Sequence, residues 1–336
     1  MDSLSQIALG AAVGVAVLGR RTALWKAALW GAVCGTLPDL DAFIDHGDPL
    51  SNMVLHRGNS HALFWLSLLA PPLGLAIAAL QREWGLRGRW MLAVWLALIT
   101  HPLLDWMTVY GTQLLRPFSS EPLGLGSIFI IDPLYTLPLL IGTGVALRGG
   151  PRALRWNAAG LLLSCAYLAW SALAQQWVLE RARASLGEPA QRLLATPTPF
   201  NTLLWRIVAL APDGRSYQEG FHSLLDPPGP IRFQRHERGA ALEPALREHA
   251  PAAALARFTG GFYKLERRTD GAVLITDLRM GFEPHYSFAF VVARQPDPAT
   301  APQPLAPPQA AGTRPPLGPA LDWLWRRLRG PQAPPT

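Results

Sequence analysis

"VLHRGNSHALFW", residues 54–65, decides how the chain reads. Two imidazoles, His56 and His61, bracket Arg57, Gly58, Asn59 and Ser60, and from there the chain turns apolar. Residues 61–80, "HALFWLSLLAPPLGLAIAAL", contain no Asp, Glu, Lys or Arg. A bilayer-spanning helix needs about 17–25 apolar residues, so this is a membrane segment with titratable groups at its mouth. Comparable runs occupy 90–111, 127–147 and 156–178. Shorter ones at 4–19 and 23–44 precede them, and either of these spans the bilayer or re-enters it. The expected fold is a membrane α-helical bundle of about five to six transmembrane or re-entrant helices over residues 1–180.

Composition agrees. Half of the 336 residues are hydrophobic and 16% are charged, which is low for a soluble protein. The net charge of +7 is nearly all arginine, and much of it lies in short loops between apolar segments. Loops one, three and five carry Arg20, Arg21 and Lys26; Arg82, Arg87 and Arg89; and Arg148, Arg152 and Arg155. Loops two and four carry only Arg57 and Arg116. The positive-inside bias puts the odd loops in the cytoplasm and both termini outside. With no recognisable reader motif, the basic charge is not read as nucleic-acid binding. No G-x-S-x-G, Walker or dinucleotide loop occurs either. Cys34 and Cys165 lie in apolar runs and are expected to be small buried residues, with no disulfide and no thiolate metal site. The N-terminal apolar stretch has acidic and polar residues before it and its basic pair after it, so it reads as a retained membrane segment.

Beyond residue 180 the pattern changes. Residues 181–198 read as a helical connector, and 199–295 as a small extramembrane α+β domain with antiparallel sheet. "LLWRIVAL" and "RSYQEGFH" flank Pro212-Asp213-Gly214, and "GFYKLERRT" and "AVLITDLRM" flank Asp270-Gly271, two hairpin signals. "HYSFAFVVA" supplies a fifth strand and 240–258 one alanine-rich helix. Residues 296–336 read as a disordered Pro-rich tail that ends in a short amphipathic helix, "LDWLWRRLRG", suited to a membrane surface or to solvent.

Polar residues recur at the span ends. Asp2 and Gln6 lie one helical turn apart, "LPDLDAF" offers Asp39 and Asp41, "HRGNSH" offers His56 and His61, and "THPLLD" sets His101 and Asp105 at i and i+4 on one helix face. Asp132 opens the next apolar segment. Under the six-span topology all of these fall on the same side of the membrane. An ionised Asp at a helix centre costs about 2.5–3.5 kcal/mol on insertion scales, and converging carboxylates repel one another. A divalent cation relieves both costs. The ligand set of His56, His61, His101, Asp39, Asp41, Asp105, Asp2 and Asp132 suits zinc first, with manganese or iron(II) as alternatives. Eight candidates exceed the four that a tetrahedral zinc needs, so either the site holds two ions or some of the eight orient the others, a role also open to Gln6, Asn59, Ser60 and Thr100. Asp2 reads equally well as an N-cap, and His46 and His222 read as interfacial residues.

The runs "MDSLSQIALGAAVG", "GTLPDLDAF", "HRGNSHAL", "THPLLDWMTVYGT" and "FIIDPLYTLPL" resemble the bacterial inner-membrane metal-dependent hydrolases of the YdjM type, over about residues 1–180 and in order. Some members of that family are linked to the DNA-damage repressor LexA. The resemblance implies a multi-pass protein of the bacterial inner membrane with a metal site built from Asp2, Asp39, Asp41, His56, His61, His101, Asp105 and Asp132.

The expected activity is hydrolysis of a lipid-linked ester or phosphoester by a metal-activated water. Asp41 or Asp105 would act as general base and Arg57 would hold an anionic group. The expected partners are membrane lipid and a lipid-like or anionic substrate. The alternative is a membrane-bound adaptor with a structural metal and a partner-binding C-terminal domain; transport of a metal or small anion ranks behind both.

Overall fold

The computed structural model describes residues 1–187, 190 and 192–330. Its helices are α1 (Ser3–Leu18), α2 (Leu24–Thr36), α3 (Pro49–Leu55), α4 (Leu63–Leu80), α5 (Arg87–Trp106), α6 (Pro133–Leu147), α7 (Ala153–Ser185), α8 (Glu243–Leu246), α9 (Ala250–Phe258) and α10 (Leu317–Arg329). Its strands are β1 (Arg192–Pro197), β2 (Leu204–Leu210), β3 (Ser216–Ser223), β4 (Phe233–Glu237), β5 (Tyr263–Arg267), β6 (Ala272–Asp277), β7 (Gly281–Phe282), β8 (His285–Tyr286), β9 (Ala289–Arg294) and β10 (Gln303–Ala310). The chain divides into two compact units: Met1–Phe43, Arg57–Leu173 and Pro199–Asn201; and Ile44–His56, Ala174–Thr198 and the chain from Thr202 on.

The first unit is helical. Its tightest contact joins α1 and α2 through glycines spaced four apart, Gly10 and Gly14 on one helix and Gly31 and Gly35 on the other. A Cβ added at Gly10 would stand 2.2 Å from the Gly31 carbonyl oxygen, and one at Gly14 2.2 Å from that of Ala27. Small residues at this spacing let two backbones touch. Val15 and Leu18 of α1, Leu66 and Ile77 of α4, and Trp90 and Leu98 of α5 share one core cluster. The Trp90 indole N–H donates to Glu83, 3.0 Å away.

Among the described residues three helical stretches are long and apolar enough to cross a bilayer, Ser3–Arg21, Leu63–Leu80 and Ala153–Ser185. Only 28% of the most apolar window of α4, and of α7, is buried within the protein, so most of their apolar side chains face outward, as lipid contact requires. Helix α6 is shorter, and α5 carries Arg87, Arg89 and Asp105 within its length. Charge and length together thus reduce the segments that qualify on composition alone. Cys34 is buried as expected. Cys165 is exposed, because it falls on the outward face of α7 beside Leu162 and Leu163.

The second unit has two four-stranded antiparallel sheets, ordered β1-β2-β3-β4 and β10-β9-β6-β5, and a small β7-β8 ladder. Both Asp-Gly turns close hairpins, β2-β3 and β5-β6. Val208, Leu210 and Tyr217 from one sheet pack with Phe262, Leu278 and Tyr286 from the other side. A polar chain is buried beside them: Arg206 donates to Glu219 (2.6 Å) and to the Leu278 carbonyl (2.7 Å), and Lys264 pairs with Glu283 at 2.6 Å. Burial alone would raise the Glu283 carboxyl, but hydrogen bonds from Lys264 and Tyr217 more than offset it and hold it below the ordinary carboxylate range. Burial and the Glu243 hydrogen bond push the Tyr263 hydroxyl up to about 12.

Three expectations for this region change. The helical connector over 181–198 ends at Ser185, and Arg192–Pro197 is a strand paired with β2, its side chains being as compatible with a sheet edge as with a helix. Glu188, Pro189 and Gln191 of that connector lie outside the described residues. The single helix over 240–258 is broken into a 3-10 turn, α8 and α9, because Pro244 and Pro251 each sit in a first turn, where a proline starts a helix rather than continuing one. The tail is not disordered over most of its length. Gln303, Pro304, Gln309 and Ala310 pair with β9 at the sheet's edge, and Pro307 and Pro308 fall in the irregularity between them, both places where a proline is tolerated in a sheet. Residues 331–336 lie outside the described residues.

Helix α10 is pinned. Arg327 donates to both oxygens of Asp226, at 2.7 and 2.8 Å, and to the Phe221 carbonyl, while Trp323 is buried against Phe221 and Phe282. His222 lies 3.3 Å from Asp226, and burial pulls its imidazole below the usual histidine range. Burial acts to raise the Asp226 carboxyl, but the Arg327 hydrogen bonds and charge outweigh it and leave the group low. A carboxylate depressed by folding contributes stability that is present above its unfolded value and lost as pH falls through the folded one. The protection of the α10 amides, measured against the unfolded-chain rate at each pH, should therefore fall as pH drops below about 4. Asp226→Asn should give fast exchange already at neutral pH, with that acid step gone. Unchanged exchange in the variant would remove this pair from the account.

Candidate metal centre

Four side chains converge at the end of the helical unit. His101 and Asp105, one turn apart on α5, face the same way. Asp39 follows the α2 helix in the 3-10 segment Leu37–Phe43, and His61 closes the short turn Asn59–His61 before α4. The Nε2 atoms of His61 and His101 are 3.1 Å apart. His61 Nε2 lies 3.3 Å from Asp39 Oδ1 and 3.2 Å from Asp105 Oδ2; His101 Nε2 lies 3.4 Å from each. His61, His101 and Asp105 have no exposed surface, and the Asp39 side chain keeps 23% of its own.

The outer contacts fix the protons. His101 Nδ1 lies 2.6 Å from the Gly35 carbonyl, which only accepts, so Nδ1 carries the hydrogen and Nε2 a lone pair. Ser60 donates its one hydroxyl proton to Asp41 Oδ2 at 2.6 Å and so accepts from His61 Nδ1 at 2.9 Å, leaving His61 Nε2 a lone pair too. Asp105 Oδ1 is saturated by the Gln6 amide (3.1 Å), Arg57 (3.2 Å) and the Met1 α-amino group. Asp105 Oδ2, turned to the imidazoles, has no hydrogen-bond donor. With both imidazoles neutral, as metal ligation requires, four lone-pair atoms face one another. One added proton could serve a single pair of them; a divalent cation serves all four.

The spacing fits as well. Four atoms arranged tetrahedrally around an ion at about 2.0–2.1 Å lie about 3.3 Å from one another, and the five separations above run from 3.1 to 3.4 Å. Two imidazoles and two carboxylates, a nitrogen and oxygen set without sulfur, suit zinc, manganese or iron(II). The buried group Asp39, His61, His101 and Asp105 can therefore hold a metal ion.

The other candidate residues are placed as follows. Asp41 Oδ2 accepts from Ser60 and from the Arg57 backbone N–H at 2.9 Å, so this oxygen orients the His61 turn. Arg57 is buried with a left-handed φ of 61°, sparsely populated for a side-chain-bearing residue. Its guanidinium sits over the Tyr110 ring and reaches Asp105 and Thr108. Gln6 and Ser60 touch the cluster. Asp2 stands outside it as the N-cap of α1, accepting from the Ser5 N–H and hydroxyl. Asp132 also stands outside, as the N-cap of α6, accepting from the Leu134 N–H (3.0 Å) and the Tyr167 hydroxyl (2.8 Å). Thr100 bonds back to its own helix at the Leu96 carbonyl, and Asn59 accepts from Arg116. His56 ends α3 in the second unit, its N–H bonded to the Asn52 carbonyl.

Sequence reading missed the Gly35 carbonyl, Thr108 and Tyr110. Gly35 had a signal in the matched glycine spacing of α1 and α2. Ser60→Ala should leave the fold intact and weaken metal binding about 10–100-fold, the usual cost of losing a group that orients a ligand; unchanged affinity in a metal-buffer titration would deny it that role.

Residues 1–178 match the YdjM inner membrane protein family. The uncharacterized protein YfhP of Bacillus subtilis (strain 168) is 26% identical over 240 residues, 67% of this chain and 71% of that one. No solved structure matches.

Proposed function

The chain belongs to the YdjM inner membrane protein family, and on that premise we propose that it is a metal-dependent hydrolase of the membrane. Its centre is His61, His101, Asp39 and Asp105. The observation that carries this is the set of four facing lone-pair atoms, two of them fixed as acceptors by the Gly35 carbonyl and by Ser60. A divalent ion held by these four side chains would supply a nucleophilic water near neutral pH by taking it as a fifth ligand, and would polarise the scissile bond. Substrate approaches from the side of Asp39, the one partly exposed member. Asp41, beside the His61 turn and outside the four ligands, would act as the general base, because Asp105 is itself a ligand. Arg57, whose Nε–H has no acceptor, meets the anionic group of a lipid-linked ester or phosphoester.

In this reading α1, α2 and α4–α7 make six crossings or re-entrant passages, the odd loops are cytoplasmic, and the 199–295 region lies outside. A reporter fused at residue 336 tests the orientation, activity on the cytoplasmic side being the contrary result.

The complete burial of three of the four ligands also favours a second reading, a structural ion in a membrane-bound adaptor. Hydrolysis assays separate the two. Detergent-purified protein is offered phosphatidic acid and phosphatidylglycerol before and after chelation, while thermal unfolding is followed in parallel. The hydrolase reading expects turnover that chelation abolishes and added zinc or manganese restores. Absence of turnover on both lipids, with chelation lowering the unfolding temperature, supports the adaptor.

A further inference from the structure

Helix α10 presents a stripe that no described residue of the second unit covers. Leu317, Leu321 and Trp325 stand at i, i+4 and i+8, on one face, and are 72%, 41% and 59% exposed. The helix cannot turn this stripe inward, because its opposite face is held by the buried Trp323 and by the Arg327–Asp226 pair. Cations border the stripe. The Arg329 guanidinium lies over the Trp325 ring, 4.3 Å from its centre, and Arg326, next to Trp325 in the last turn, is exposed. Leucine and tryptophan flanked by arginine match the chemistry of a lipid headgroup boundary, where the ring enters the interface and the guanidinium meets phosphate.

We propose that α10 is a membrane-surface contact that lays Leu317, Leu321 and Trp325 against an anionic lipid leaflet. The charge decides the occupant. Arg326 and Arg329 outnumber Asp322 on the exposed side, so anionic headgroups complement it where an uncharged surface would not. The chain is a membrane protein by family, so such a surface is always within its surroundings. This surface is separate from the metal centre and does not depend on its activity.

The test uses the full chain in lipid nanodiscs. Single nitroxide labels are placed through L321C, W325C, D322C and R326C in a C165S background, Cys34 being buried. Accessibility to oxygen, which concentrates in lipid, is compared with accessibility to a water-soluble nickel chelate. In discs containing phosphatidylglycerol, labels at 321 and 325 should show an oxygen-to-nickel ratio several-fold above those at 322 and 326. That excess should shrink in pure phosphatidylcholine, in high salt, and when R326Q and R329Q are combined with L321C. Equal nickel access at 321 and 322 in every disc would overturn the proposal. So would protection of 321 and 325 from both reagents, the mark of a protein partner or second copy. An excess indifferent to lipid charge and salt would overturn the anionic assignment.

Discussion

His101→Ala is expected to leave the detergent-purified protein essentially without its ion. The imidazole supplies one of four inward donors, and its Nδ1–H is held by the Gly35 carbonyl at 2.6 Å, so the loss removes a ligand already oriented. Groups that merely orient a ligand cost about 10–100-fold in affinity when removed, and loss of a ligand should exceed that range. The remaining three atoms, with Asp39 and Asp105 both ionised, would also lose the charge that offsets their repulsion. His101→Ala should therefore fall in stability in the metal-loaded comparison and very little in the metal-free one. Elemental analysis and thermal unfolding with and without chelator check both halves. Full metal content in His101→Ala, or an equal loss of stability in both states, would contradict the assignment.

Gly31→Leu should be the most damaging change away from the donors. The ideal Cβ at this position stands 2.2 Å from the Gly10 carbonyl oxygen and 3.2 Å from the Gly14 Cα, and these are backbone atoms with no rotamer to yield. Ordinary overpacking costs about 1–3 kcal/mol; here the helices themselves must part, so the cost should reach the top of that range or pass it. Parting α1 from α2 also shifts the Gly35 carbonyl from His101 and the Gln6 amide from Asp105. The variant should lose metal as well as stability, whereas Gly85→Ala, where an added Cβ meets nothing within 4 Å, should change neither. A Gly31→Leu protein with native stability and full metal content would show that the close approach is not required.

That the first unit is helical and apolar is legible in the sequence, though three stretches of the described residues, rather than five or six, qualify as spans; that His61, His101, Asp39 and Asp105 belong to one set of eight candidates is legible for one reason. Asp and His are expensive beside hydrocarbon, so several of them at span ends imply a shared partner. Composition cannot separate a ligand from a cap. Asp2 and Asp132, like Asp39, are aspartates at the ends of apolar segments, and the structure turns them to the Ser5 and Leu134 N–H groups, the cap that the sequence left as an equal reading for Asp2. Thr100 is adjacent to His101 yet points away, because neighbours on a helix differ by about 100° and cannot share a face. The β1 strand was hidden because its partner is β2, and pairing is a tertiary fact. Proline content misdirects the reading of 303–310 in a similar way: it forbids a central strand but suits an edge one. The glycine spacing of α1 and α2 was in plain view, and its meaning depended on knowing that the two helices face each other.

X-ray absorption at the metal edge of the purified wild-type protein, with elemental analysis of the same sample, tests the centre most directly. The account requires about one ion per chain, bound by two imidazole nitrogens and two carboxylate oxygens at about 2.0–2.1 Å, with both imidazole signals lost in the His61→Ala, His101→Ala double variant. A protein that binds no divalent ion on reconstitution, or a spectrum that the double variant leaves unchanged, would contradict it.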